Sequence, residues 1–347
     1  FDSLAGTSFG AGQTGVNLGN GLVVDPTFGS LNAFAKSNMA TIGTKHGQSA
    51  HDSAEQADWG DGTNSYMLQL ADAMGGAGSI KAAVLGNQMP QGPAPAVNST
   101  TLQQINDLQS TIDALSGTGD STVPDRTLAT KGIGASQAMS QARLTASPKG
   151  LTALGAGYGA SVATLSKPPR VYAFSDFNTA YTLGNKTGIG SSFAAQMAGA
   201  ELMIAAGANV CCAMTNFNWD SHGDKDASSV RQMMSQNIIP SLNTFITRNM
   251  ASNGTGVAYM DDFGNTRNIT VMIMGDFARS LPGSDHQPNM SCTVFGKHVA
   301  VGTTGQTNAS VALPAGTPGM AGLWSYLAAV SQLSANPFGA NPHGLTK

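Results

Sequence analysis

Two rhythms of apolar residues alternate along this chain. One has helical spacing. Tyr66, Met67, Leu70 and Met74 share a stripe that predicts a helix over 64–74. Leu102, Ile105, Leu108, Ile112 and Leu115 predict another, capped by Ser99-Thr100. Phe193, Met197, Ala200, Ile204 and Ala205 predict a third, opened by Ser191-Ser192 and stopped at Gly207. Val230, Met233, Met234, Ile238, Leu242, Phe245 and Ile246 predict a long helix, capped by Asp226 or Ser228 and kinked at Pro240. Leu31–Ala35 and Leu323–Leu333 complete the set. The other rhythm is the short apolar run of a buried strand: Met39–Gly43, Ile80–Leu85, Val171–Phe174, Asn209–Asn216, Ile269–Met274, Val299–Val301 and Val311–Leu313. Strands and helices in this alternation predict an α/β protein with a largely parallel sheet and helices on both faces. In such sheets ligands gather at the carboxyl ends of strands.

Two predicted strands end in chemistry. Asn209–Asn216 runs into Trp219-Asp220-Ser221-His222-Gly223-Asp224. Ile269–Met274 runs into Asp276, with Arg279 three residues on and Asp285-His286 after a Pro-Gly turn. Asp220 and His222 are two apart, so on extended chain both side chains point to one face. Carboxylates and imidazoles suit Zn, Mn, Mg or Ca. Asp220, His222, Asp276 and His286 are therefore the candidate metal ligands. Arg279, placed to hold an anion, and Asp285, Asp224 and His51 are the candidate substrate-side groups. His51 and His46 lie in Thr44–Glu55, which reads as a polar loop beyond a strand.

Composition narrows the picture. The chain has 347 residues, enough for one large α/β domain over 1–347. The small-residue stretch 116–170 is a candidate insertion or lid, and 335–347 a C-terminal arm. Charged residues are 11%, against about a quarter in ordinary globular chains. A neutral polar surface suits an exported protein or a member of an assembly. Net charge is −3 with no basic run, which argues against nucleic-acid binding. No apolar stretch reaches membrane-spanning length. The Gly-rich start lacks the helix and acid of a dinucleotide site. Cys211, Cys212 and Cys292 read either as buried small hydrophobes or as one disulfide to Cys292.

The run N-W-D-S-H-G-D, then M-G-D-F-A-R-S-L-P and S-D-H, resembles the exported bacterial family called domain of unknown function 1501, related to the alkaline phosphatase and sulfatase superfamily. The likeness covers about 190–305, and S-A-H-D-S at Ser49–Ser53 is similar to a further family segment. The resemblance implies an alkaline-phosphatase-like three-layer α/β/α sandwich, with Asp220, His222, Asp276 and His286 at inherited metal positions. It also implies a leader that directs export to the periplasm, cell surface or medium. Superfamily phosphatases carry an early strand with a metal-binding Asp and a nucleophilic Ser, Thr or Cys. Here Phe1-Asp2-Ser3 follows no apolar strand, and Asp2 with Ser3 or Thr7 is the remnant on offer. Ala278 stands where the family often has Gly. Two expectations follow. One is a degenerate, non-catalytic relative that forms homo-oligomers or binds at a surface. The other is a metal-dependent hydrolase of phosphate or sulfate esters.

Overall fold

The computed structural model describes residues 14–76, 78–92, 96–116, 126–146, 170–215, 217, 219, 228–251, 254–279, 285–305, 307 and 312–347. In chain order these form β1 (Val16–Gly19), β2 (Leu22–Val24), α1 (Ala33–Lys36), β3 (Met39–Lys45), α2 (His51–Trp59), α3 (Tyr66–Met74), β4 (Ala82–Leu85) and β5 (Leu102–Ile105). Next come α4 (Leu108–Ser116), α5 (Arg126–Ala146), α6 (Phe174–Tyr181), α7 (Phe193–Ala205), β6 (Val210–Ala213) and α8 (Ser228–Met233). The last are α9 (Ile239–Asn249), β7 (Thr270–Ile273), β8 (Ala278–Arg279), β9 (His286–Gln287), β10 (Asn289–Gly296), β11 (Gly302–Thr304) and α10 (Met320–Val330). The result is a mixed α/β protein that includes a parallel sheet.

β5, β4 and β6 form that parallel sheet, in that order. A second sheet has the order β11-β3-β10-β7. β3 pairs parallel with β11, but β10 runs antiparallel to both β3 and β7. This is a departure from the largely parallel sheet that the alternation predicts. Its cause is β10, NMSCTVFG, whose Ser, Thr and Gly break the apolar run that marks a buried strand. β10 is nonetheless almost wholly buried. β3 is buried over Met39–Thr44, as a central strand covered on both faces must be. At Gly43 the chain crosses so closely that a Cβ would lie 2.3 Å from the Gly305 carbonyl oxygen.

α7 is buried along most of its length. Ser192 caps it, its hydroxyl accepting from Ala195 N at 3.1 Å. Gly207 follows it at φ +96°, where it meets the Gly78 backbone. The predicted long helix is interrupted: α8 passes into a π-helical turn over Met234–Ile238, and α9 resumes around Pro240. Proline lacks the N–H an α-helix needs there, and the wider turn absorbs the misfit.

Three expectations are corrected. Leu102–Ile105 is strand rather than helix, held in parallel register to Ala82–Leu85. The Asp107 carboxylate accepts from Ser110 N at 2.8 Å and so starts α4 after that strand. Val171–Phe174 is not a strand: Arg170 donates to Val257 O and Met260 O, and Tyr172 donates to Asp262, which tethers the segment until α6 begins at Phe174. Val299–Val301 gives only a bridge from Val299 to Thr346, and the strand is Gly302–Thr304. Val311 lies outside the described residues, as do Asp2, Ser3, Thr7 and most of 116–170. The segment 335–347 lies on the body without regular structure, with Tyr326 Oη donating to Leu345 O at 3.3 Å. Among the described residues no helix is long and apolar enough to cross a membrane.

The three cysteines are unpaired thiols. Burial pushes Cys211 and Cys212 up to about 12 and raises Cys292 too. They act as core fillers rather than nucleophiles.

Candidate functional site

β7 and β3 deliver the site from opposite directions along the chain. β7 ends at Ile273, and Met274-Gly275 lead straight to Asp276. β3 leads through His46–Ala50 to His51, the first residue of α2. The polar stretch expected as a loop is thus half helix. At helical pitch His51, Glu55 and Asp58 fall at i, i+4 and i+7, on one face. β8 and β9 pair antiparallel with Arg279 opposite His286, which returns His286 to the end of β7.

His51 Nδ1 meets Asp276 Oδ2 in a close pair across 225 residues of sequence. Asp276 Oδ1 accepts from Phe277 N at 3.0 Å. The His286 ring stands edge-on to His51, centroids 4.9 Å apart, and lies 4.0 Å from the Phe277 ring. His286 Nδ1 donates to the Ser49 carbonyl at 2.8 Å, which fixes its tautomer. The Arg279 guanidinium carbon sits 5.8 Å from the Phe277 ring centre. His51 keeps 56% of its side chain exposed and Asp276 28%, so the pair faces solvent at one edge. No hydrogen bond among the described residues engages His51 Nε2.

Behind this pair lie two acids. Asp58 is 1% exposed, and no hydrogen-bond donor reaches its Oδ1. Burial, then the Asp276 and Glu55 charges, push its carboxyl up to about 9. Burial also raises Glu55, helped by Asp276 and Asp52 and opposed by His51. His46 is lowered by burial, against the pull of Asp276. Clustered perturbed groups at a strand end are a common mark of a working site.

Asp276, His51 and His286 are therefore brought together, and Arg279 stands beside them. Asp285 is exposed, next to His286. Asp220, His222 and Asp224 lie outside the described residues. Among the described residues no three His, Cys, Asp or Glu side chains form a group that could hold a metal. Asp276 occupies His51 Nδ1, and the Ser49 carbonyl occupies His286 Nδ1. These donors alone do not make a coordination shell.

Glu55 and Asp58 were not among the sequence candidates. Their signal was there, in the i, i+4, i+7 spacing from His51, but it shows only once 51–59 is known to be helix. Comparisons with protein families, with curated proteins and with solved structures find no match.

Proposed function

We propose that this chain is an exported, alkaline-phosphatase-like protein whose working site is the polar cluster at the end of β7, and that the site hydrolyses anionic esters. The observation that carries the reading is the meeting of His51 with Asp276, from segments 225 residues apart, at the carboxyl end of a strand. A carboxylate on Nδ1 holds the imidazole in the tautomer that leaves Nε2 as a proton acceptor. His51 then takes a proton from the attacking water, and Asp276 stabilises the imidazolium. Arg279, beside the Phe277 ring, would supply the cation for an anionic group. The metal implied by the family resemblance would be held by Asp220, His222, Asp276 and His286, where it would polarise an ester oxygen or activate water. The three-layer sandwich, the export and the family membership belong to the same proposal.

The test is turnover of an aryl phosphate and an aryl sulfate by the purified chain, with elemental analysis of the same sample. Asp276→Asn and His51→Ala should each lower kcat/KM by about 10²-fold or more, the usual range for losing general acid–base help. Undiminished turnover in both variants would sink the reading.

A second reading, a non-catalytic protein used for homo-oligomeric assembly or surface binding, rests on α5. This 21-residue helix has no buried residue among those described, and Leu128 and Met139 are 68% and 71% exposed. Stable oligomers in light scattering, broken by Leu128→Glu with Met139→Glu, would favour it.

A further inference from the structure

The face of α2 turned away from His51, Glu55 and Asp58 borders a cavity of about 460 Å³. Its walls come from the end of β3, this α2 face, the turn at 60–62 and the first residues of α3 and α10. It is a largely open depression, with a volume in the roughly 300–1,000 Å³ range of small-molecule sites. Four side chains on the wall, Lys45, Gln48, Ser53 and Gln56, make no hydrogen bond or ion pair within the protein among the described residues. They offer an ammonium, two amides and a hydroxyl, so the wall carries both donors and acceptors.

Charge decides the class of ligand. Asp61 and His46 also line the cavity, and burial holds the His46 imidazole below its ordinary value, which favours its neutral form. Backbone N–H groups of Asn64 and Thr63 hold the Asp61 carboxyl below the usual range, so it is ionised at neutral pH. Its charge offsets that of Lys45 in the same wall. A simple anion would meet Asp61 and a simple cation would meet Lys45, each a like-charge contact. A neutral ligand meets neither, and one rich in hydroxyls can use every group present. Tyr66 and Met320, both buried, supply an apolar part of the wall for a ring's C–H face.

We propose that this cavity is a binding site for a neutral, hydroxyl-rich small molecule of the saccharide class, on the face of α2 opposite His51, with His46 between it and Asp276. The site does not depend on hydrolysis at that pair.

The experiment is calorimetric titration of the full chain with glucose, N-acetylglucosamine, maltose and chitobiose, with glycine and inorganic phosphate as comparators. At least one saccharide should bind saturably. The double variant Ser53→Leu with Gln56→Leu should bind it at least tenfold more weakly. Both positions are exposed on a helix, so melting temperature should stay within a few degrees. His51→Ala should bind as the parent does while losing any ester turnover, which separates failure of this site from failure of the hydrolase reading. Saturable binding by none of the four saccharides overturns the proposal. So does equal binding by the double variant, or binding of glycine or phosphate alone.

Discussion

Asp58 holds a carboxyl in the core, and its Oδ1 meets no donor. Its folded pKa of about 9 lies far above the ordinary aspartate value near 3.9. Between those values the folded state binds a proton that the unfolded state has released. Stability must then fall as pH rises through that window, by at most about 1.4 kcal/mol per pH unit from this one group. Asp58→Asn keeps the shape and cannot ionise. Urea unfolding from pH 5 to 8 should show a shallower decline for the variant, with the two proteins closest at pH 5. Parallel curves would mean that Asp58 is solvated in solution. The spacing from His51 puts Asp58 on the His51 face once 51–59 is known to be helix, but nothing in D-S-A-E-Q-A-D-W marks which acid turns inward. Only the docking of α2 against the strand ends decides that.

β3 shows how far a strand can be read and where reading stops. Its apolar run is plain in the sequence, and so is the alternation that placed β4, β6 and β7. The partner β10 was not legible, because close packing around small residues replaces bulk there. Gly43 is the clearest case on β3 itself: the Gly305 carbonyl and Leu313 Cδ2 occupy the space a Cβ would need, at 2.3 and 2.7 Å. Gly43→Ala should cost about 1–3 kcal/mol, the usual range for overpacking a core. A loss under half a kcal/mol in chemical denaturation would show that the β11 end yields freely. Helices fared the same way. α7 is legible from stripe and cap and α3 from its stripe alone, whereas Leu102 and Ile105 fit a helical stripe by accident. Parallel pairing with β4 outweighs that local signal. The candidate site divides likewise: Asp276, His286 and His51 could be named from strand ends and motif, but the pairing of His51 with Asp276 is a tertiary fact.

Several of the helices packed over the sheets are joined through one buried carboxylate. Glu201, in the middle of α7, is 0% exposed. It accepts from Arg248 Nη2 on α9 at 2.5 Å, from Tyr181 Oη on α6 at 2.6 Å and from Asn249 Nδ2 at 2.8 Å. Val257 N adds a longer bond at 3.3 Å. Burial alone would raise this carboxyl, but Arg248, Tyr181 and Asn249 together hold it below the ordinary range. The stability it contributes is therefore present above the unfolded glutamate value and is lost as pH falls through the lower folded value. Arg248→Met removes the one cation and leaves the charge buried. The expected cost at pH 7 is about 3–5 kcal/mol, as for other buried pairs broken on one side. The deficit should shrink as pH falls towards 4, because protonating Glu201 removes the uncompensated charge. Glu201→Gln, which keeps the shape and drops the charge, should lose less than Arg248→Met at pH 7. If the two variants were equally unstable and the deficit did not change with pH, shape rather than charge would be what Glu201 contributes. α6, α7 and α9 would then be joined by packing alone.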